Sequence, residues 1–113
     1  MSEAVSVPEH EYEAAADRTL QAMQDRLTDI AEGFESDLSS GILTIEFEDG
    51  TKYVINSHRA ARQIWMAAER SAWHFDLQPA EGRWVAGKSG DELWTTVEGV
   101  LSRKLGRKIE LPR

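Results

Sequence analysis

The sequence predicts an α+β fold, a two-layer α/β sandwich in which two helices pack on one face of an antiparallel sheet of about five to six strands. Three observations carry that expectation. Apolar residues near the start recur in steps of three and four, from Tyr12 through Ala16, Leu20, Met23, Leu27 and Ile30 to Phe34, which is the helical period. The middle of the chain alternates apolar and polar residues between turn signals, which is the strand period. A second helical stripe, Leu93, Val97, Val100 or Leu101, and Leu105, closes the chain. With short loops between the strands and an amphipathic helix at each end, both helices are expected on the same side of the sheet. At 113 residues the chain, 1–113, reads as one domain.

The first helix is expected to begin near Pro8. Ser6-Val7-Pro8-Glu9 fits a capping box, with Pro8 inside the first turn, where a missing N–H costs nothing. Gly33 is the expected stop. Leu43, Ile45 and Phe47 then alternate with Thr44, Glu46 and Glu48 in a strand with one buried and one open face. Asp49-Gly50 marks a hairpin. A two-residue turn would put Lys52 on the apolar face. A three-residue loop, Glu48-Asp49-Gly50, instead pairs Glu46 with Lys52 and sends Tyr53 and Ile55 inward, so the longer loop with a left-handed Gly50 is expected. A third strand covers about Gln63 to Ala67, with Ile64 and Met66 facing the core. Ala72 to Leu77 and Arg83 to Ala86 are two more. Ser89-Gly90-Asp91-Glu92 reads as the cap of the last helix and Gly106 as its end. Ile109-Glu110-Leu111 is expected to pack along the final groove.

Composition excludes several functions. There is no cysteine, hence no disulfide and no thiolate chemistry. No stretch of 18 apolar residues is present, so no membrane helix is expected. The N-terminus has neither a basic start nor an apolar run, and no signal or transit peptide is expected. The net charge of −7 is concentrated: residues 1–37 hold ten acids against Arg18 and Arg26, whereas the remainder is nearly balanced. Such a field attracts cations or basic proteins and repels nucleic acid.

Two constellations stand out. Asp25, Asp29 and Glu32 are spaced i, i+4, i+7, which places three carboxylates on one helix face, and Glu35 and Asp37 continue the charge. Hard cations accept oxygen ligands of this kind. One helix face cannot wrap an ion, so most of the coordination would remain water and binding would be weak. The alternative is a solvated face that keeps the protein soluble. Trp65 is the second. Ile64 and Met66 claim the core side of its strand, so parity sends Trp65 outward beside Gln63, as an exposed aromatic anchor. Truncating it would then change stability by no more than about 0.5 kcal/mol. Catalytic machinery is not expected. His10, His58 and His74 fall in separate elements, no serine lies in a nucleophile elbow, and Gly87-Lys88-Ser89-Gly90 lacks the rest of a phosphate loop.

Gly41-Ile42-Leu43-Thr44-Ile45, Tyr53-Val54-Ile55-Asn56, Arg62-Gln63-Ile64-Trp65-Met66 and Trp73-His74-Phe75-Asp76 resemble the central motifs of the frataxins, especially bacterial ones, and the resemblance runs from about Glu11 to the C-terminus. It implies an α/β sandwich, weak binding of iron (Fe2+ or Fe3+), and attachment to the cysteine desulfurase and scaffold of iron–sulfur cluster assembly as a regulator in the bacterial cytoplasm. It implies a partner-contacting role for Asn56, Gln63, Trp65 and His74, and it extends the candidate metal carboxylates back along the helix to Glu13 and Asp17. Frataxin ridges often carry unbroken acidic runs. Here Gln24, Thr28 and Ala31 interrupt them. A monomer is expected, with metal-dependent oligomers as the alternative. Two other functions stay open: a ferroxidase or iron store, and an acidic binding module that needs no metal.

Overall fold

The computed structural model describes residues 7–112. Helix α1 (Glu9–Ile30) is followed by six strands, β1 (Phe34–Ser39), β2 (Ile42–Phe47), β3 (Lys52–His58), β4 (Gln63–Ala68), β5 (Ser71–Gln78) and β6 (Arg83–Ala86), and then by helix α2 (Leu93–Leu105). The six strands form one antiparallel meander in sequence order. Both helices lie on one face. The apolar stripe of α1 (Tyr12, Ala16, Leu20, Met23, Leu27), that of α2 (Leu93, Val97, Val100, Leu101) and the inward residues of the strands form a single core. The expected sandwich is therefore observed, and Leu43, Ile45, Phe47, Tyr53, Ile55, Ile64 and Met66 are all buried in it.

The β2–β3 hairpin has the register expected from parity. Glu46 lies opposite Lys52, Phe47 N–H donates to the Thr51 carbonyl at 2.9 Å, and Gly50 has φ +87°. The tail packs as expected. Ile109 and Leu111 are buried, held by hydrogen bonds from their N–H groups to Ser102 Oγ at 2.8 Å and Glu98 Oε2 at 2.6 Å.

Four local expectations are corrected. Pro8 is the N-cap of α1 rather than part of its first turn, and its carbonyl accepts from Tyr12 N–H at 2.9 Å. Ser6, the predicted capping side chain, lies outside the described residues. Helix α1 ends at Ile30, and Ala31 turns extended (φ −59°, ψ 108°) before Gly33 is reached. Phe34 therefore opens a strand instead of completing the helical stripe, and its β1 pairs along all of β2. Finally, α2 is capped by Glu92, whose carboxylate accepts from Trp94 N–H at 2.9 Å and Thr95 N–H at 3.0 Å. Ser89 instead bonds to Asp91.

Ionic clamps tie the helices to opposite ends of the sheet. Arg59, in the 3-10 turn Arg59–Ala61, reaches Glu9 at 3.2 Å and Glu13 at 2.7 Å on α1. Arg103 of α2 grips Glu69 in the β4–β5 turn through two bonds of 2.8 and 2.9 Å, and Lys104 reaches Asp49 in the β2–β3 turn at 2.7 Å. Arg103 holds the Glu69 carboxyl below its ordinary value, and Lys104 does the same for Asp49. The β4–β5 turn is strained: Glu69 (φ 55°) and Arg70 (φ 64°) both lie in the left-handed region that favours glycine.

The candidate docking face and acidic ridge

Among the described residues, no helix or strand covers the face of the sheet turned away from the helices, and the predicted contact residues meet there in register. Asn56 on β3 lies directly opposite Trp65 on β4, which lies directly opposite His74 on β5. Ile42 on β2 extends the row from the other side of Asn56 and is 47% exposed. Gln63 stands on the same face, two residues before Trp65. Its Oε1 accepts from Trp65 Nε1 at 2.7 Å while its Nε2 donates to Asp76 Oδ1 at 2.9 Å. The amide thus fixes the indole on one side and a carboxylate on the other.

Trp65 is not the exposed anchor that parity alone suggests. It does face outward, but it is half-buried, sandwiched between two imidazoles. The His58 ring stacks on it at a centroid distance of 3.7 Å and an interplanar angle of 14°, and the His74 ring stacks on the other side at 4.1 Å and 12°. His74 is the direct cross-strand neighbour, whereas His58 reaches the indole diagonally, since it pairs with Gln63. His58 is locked by its own turn: its Nδ1 accepts from Ala61 N–H at 3.3 Å, which sets the proton of the neutral ring on Nε2. The sequence reading had left His58 and His74 in unrelated elements, and it missed Ile42 and His58 as members of this row.

Beneath the row, the sheet is fastened to α1 by Tyr12. Its hydroxyl donates to the Gln63 carbonyl at 2.8 Å and lies 2.5 Å from Ser57 Oγ, so the Ser57 hydroxyl donates to it. Burial pushes the Tyr12 phenol up from its ordinary value. The backbone that presents Gln63 is thereby held from behind by a helix.

The acidic candidates are more dispersed than their spacing suggests. Asp25 and Asp29 are exposed on α1, the first accepting from Gln21 Nε2 at 3.0 Å and the second paired with Arg26 at 3.3 Å. Glu32 lies beyond the end of α1, so the three-carboxylate helix face is in fact two carboxylates and a residue of the following loop. Its backbone carbonyl accepts from Arg107 at 2.8 Å. Glu35 and Asp37 are exposed on the edge strand β1 and face Glu46 and Thr44 across the ladder. Glu13 is engaged by Arg59, and Asp17 is exposed. Among the described residues, no three acids or histidines converge closely enough to hold an ion. The donors have the right chemistry for a hard cation, but they would supply one oxygen here and one there, with water completing the shell.

The two-layer α/β sandwich thus has an open sheet face that bears the stacked rings and, beside it, an acidic flank. A family model described as the frataxin-like domain matches residues 5–107, and the chain belongs to the frataxin family. It is 34% identical over 98 residues to the iron-sulfur cluster assembly protein CyaY of Thioalkalivibrio sulfidiphilus, covering 85% of this chain and 92% of that one. Among solved structures, the frataxin of Psychromonas ingrahamii superposes with a TM-score of 0.85 at 24% identity, covering 95% of this chain and all of the other. A trimeric frataxin of the yeast Saccharomyces cerevisiae, complexed with ferrous ion, superposes with a TM-score of 0.65 at 22% identity, covering 95% of this chain and 94% of the other.

Proposed function

We propose that this chain is an iron-binding adaptor and regulator of iron–sulfur cluster assembly that docks on the cysteine desulfurase–scaffold complex of a bacterial cytoplasm. The observation that carries the reading is the cross-strand row Asn56–Trp65–His74, oriented by Gln63 on the uncovered sheet face. Aromatic groups already fixed in place make good interface anchors, because little rotamer freedom is lost on binding. The CyaY relative, an iron-sulfur cluster assembly protein, supports the same process. In this reading the ridge from Asp25 to Asp37, with Glu13 and Asp17, holds iron weakly and meets basic surface on the desulfurase.

The test is capture of purified desulfurase and scaffold by the wild-type chain and by Asn56→Ala, Gln63→Ala and Trp65→Ala variants, with and without Fe2+. Loss of capture in the folded variants is expected. Full capture by all three would overturn the docking face. For the ridge, Mn2+ should broaden amide signals chiefly within residues 25–37, and broadening centred on the histidines would reject that assignment. A second reading, an oligomeric iron store with ferroxidase activity, draws on the trimeric yeast fold relative complexed with ferrous ion. Oxygen consumption in proportion to added Fe2+, together with assembly of larger species, would favour it over the adaptor.

A further inference from the structure

Of the aspartates in the chain, only Asp49 is followed by glycine. Glycine carries no Cβ, so nothing on Gly50 hinders the approach of its nitrogen to the side chain before it. An aspartate in that setting can cyclise. The Gly50 nitrogen attacks Asp49 Cγ, the carboxyl hydroxyl and the proton of the nitrogen leave together as water, and a succinimide ring remains. Water then opens the ring at one of its two carbonyls. Opening at Cγ restores aspartate. Opening at the main-chain carbonyl leaves isoaspartate, in which the chain runs through the former side chain, is one carbon longer and carries a free carboxylate on Cα.

Burial does not protect this link. Asp49 and Gly50 are both exposed, and a Cβ built on Gly50 would meet no atom within 4 Å. Hydrogen bonds hold it instead. The attacking nitrogen is engaged, since Gly50 N–H donates to the Phe47 carbonyl at 2.9 Å. Asp49 Oδ1 accepts from Thr51 N–H at 2.9 Å, and Oδ2 accepts from Lys104 Nζ at 2.7 Å. The Lys104 contact matters most, because the hydroxyl leaves from the protonated acid and the ammonium favours the ionised form. Lys104 is itself well seated. It also reaches Thr51 Oγ1 at 3.3 Å and stands over the Phe47 ring at 5.4 Å. It belongs to α2, so a residue 55 positions away protects the hairpin.

We propose that Asp49–Gly50 is a latent site of isoaspartate formation that the Lys104 contact keeps closed, so that a folded molecule whose α2 has let go of the hairpin is open to modification. The product lengthens the connection between Phe47 and Thr51, whose backbone bond closes the hairpin, and the modified loop no longer matches the register that sets Glu46 opposite Lys52.

The test ages the full chain at neutral pH for weeks and measures isoaspartate at position 49 by peptide mapping, with fragmentation that separates the two linkages. Folded wild type should form it far more slowly than the same chain held in urea. Lys104→Met should stay folded and form it about tenfold faster than wild type, the lower end of what a neighbouring opposite charge does to the protonated fraction of a carboxyl, as suits an exposed pair. Lys104→Arg, which keeps the charge, should stay close to wild type. High salt, which screens the pair, should speed the reaction in folded wild type. Tyr12→Phe destabilises the fold from the α1 side and leaves the hairpin contacts in place, so its rate should remain that of wild type. Equal rates in wild type and Lys104→Met would overturn the proposal. So would a folded wild type that ages as fast as the chain in urea, or a rise in Tyr12→Phe equal to that in Lys104→Met, which would trace the modification to global unfolding.

Discussion

Replacing Trp65 by alanine separates the stacked geometry from the simple exposed anchor. The indole donates one hydrogen bond, to Gln63 Oε1, and is stacked on both faces. A part-buried hydrogen bond contributes about 1 kcal/mol. Aromatic stacking contributes about 0.5–1.5 kcal/mol per pair, and the lower end suits small imidazole rings at a half-exposed site. The total is about 2 kcal/mol, between the 0.5 kcal/mol or less of an ordinary surface residue and the 3–5 kcal/mol of a core tryptophan. For a chain of this size that lowers the melting temperature by about 8 °C. Urea unfolding of Trp65→Ala, His58→Ala and the double variant measures both the total and the coupling. A coupling of about 0.5–1 kcal/mol is expected between Trp65 and His58, at an unchanged denaturant slope. A single-variant loss below 0.5 kcal/mol, or strict additivity of the two substitutions, would show that the stack does not exist in solution.

Three further outcomes follow from the same structure. Arg70→Gly should stabilise the fold by about 1 kcal/mol in urea, because Arg70 holds a left-handed φ and is exposed, with no ion pair among the described residues. Tyr12→Phe should cost about 1–2 kcal/mol by removing the donor to the Gln63 carbonyl and the acceptor for Ser57; a neutral result would show that water replaces it. Glu69 and Asp49 have folded-state values below their unfolded ones, so the stability they add is present above the unfolded carboxylate range and is lost as the pH falls through their folded values. The melting temperature should therefore drop on acidification, and Glu69→Gln should flatten that drop. An acid limb unchanged in Glu69→Gln would rule out a contribution from the Arg103 clamp.

The parts of the fold that were legible in the sequence are those in which one face must be buried. The β2–β3 register could be read because a one-residue slip would have driven Lys52 into the core. Strand β1 was not legible, because Phe34 falls four residues after Ile30 and continues the helical stripe numerically, although the chain has already turned extended at Ala31. The same ambiguity moved Glu32 off the helix on which its spacing had placed it. On the open sheet face, strand parity found Trp65 but not its exposure, which depends on neighbours from two other strands. His74 needed the β4–β5 register, and His58 needed a diagonal approach fixed by its hydrogen bond to Ala61.

Each strand of the meander pairs with the strand next to it in sequence, so every hairpin closes a short loop at little entropic expense and the sheet can assemble from either end. The two helices are the exception, because they stand at opposite ends of the chain and meet only when the core closes. During synthesis, α1 and the strands emerge first. The inner face of the sheet then waits, incompletely covered, until Leu93 to Leu111 arrive to complete the core. Folding should therefore end with the docking of this last segment, and a ribosome-bound or truncated chain that lacks it should expose apolar sheet and be drawn to chaperones before it reaches a native state.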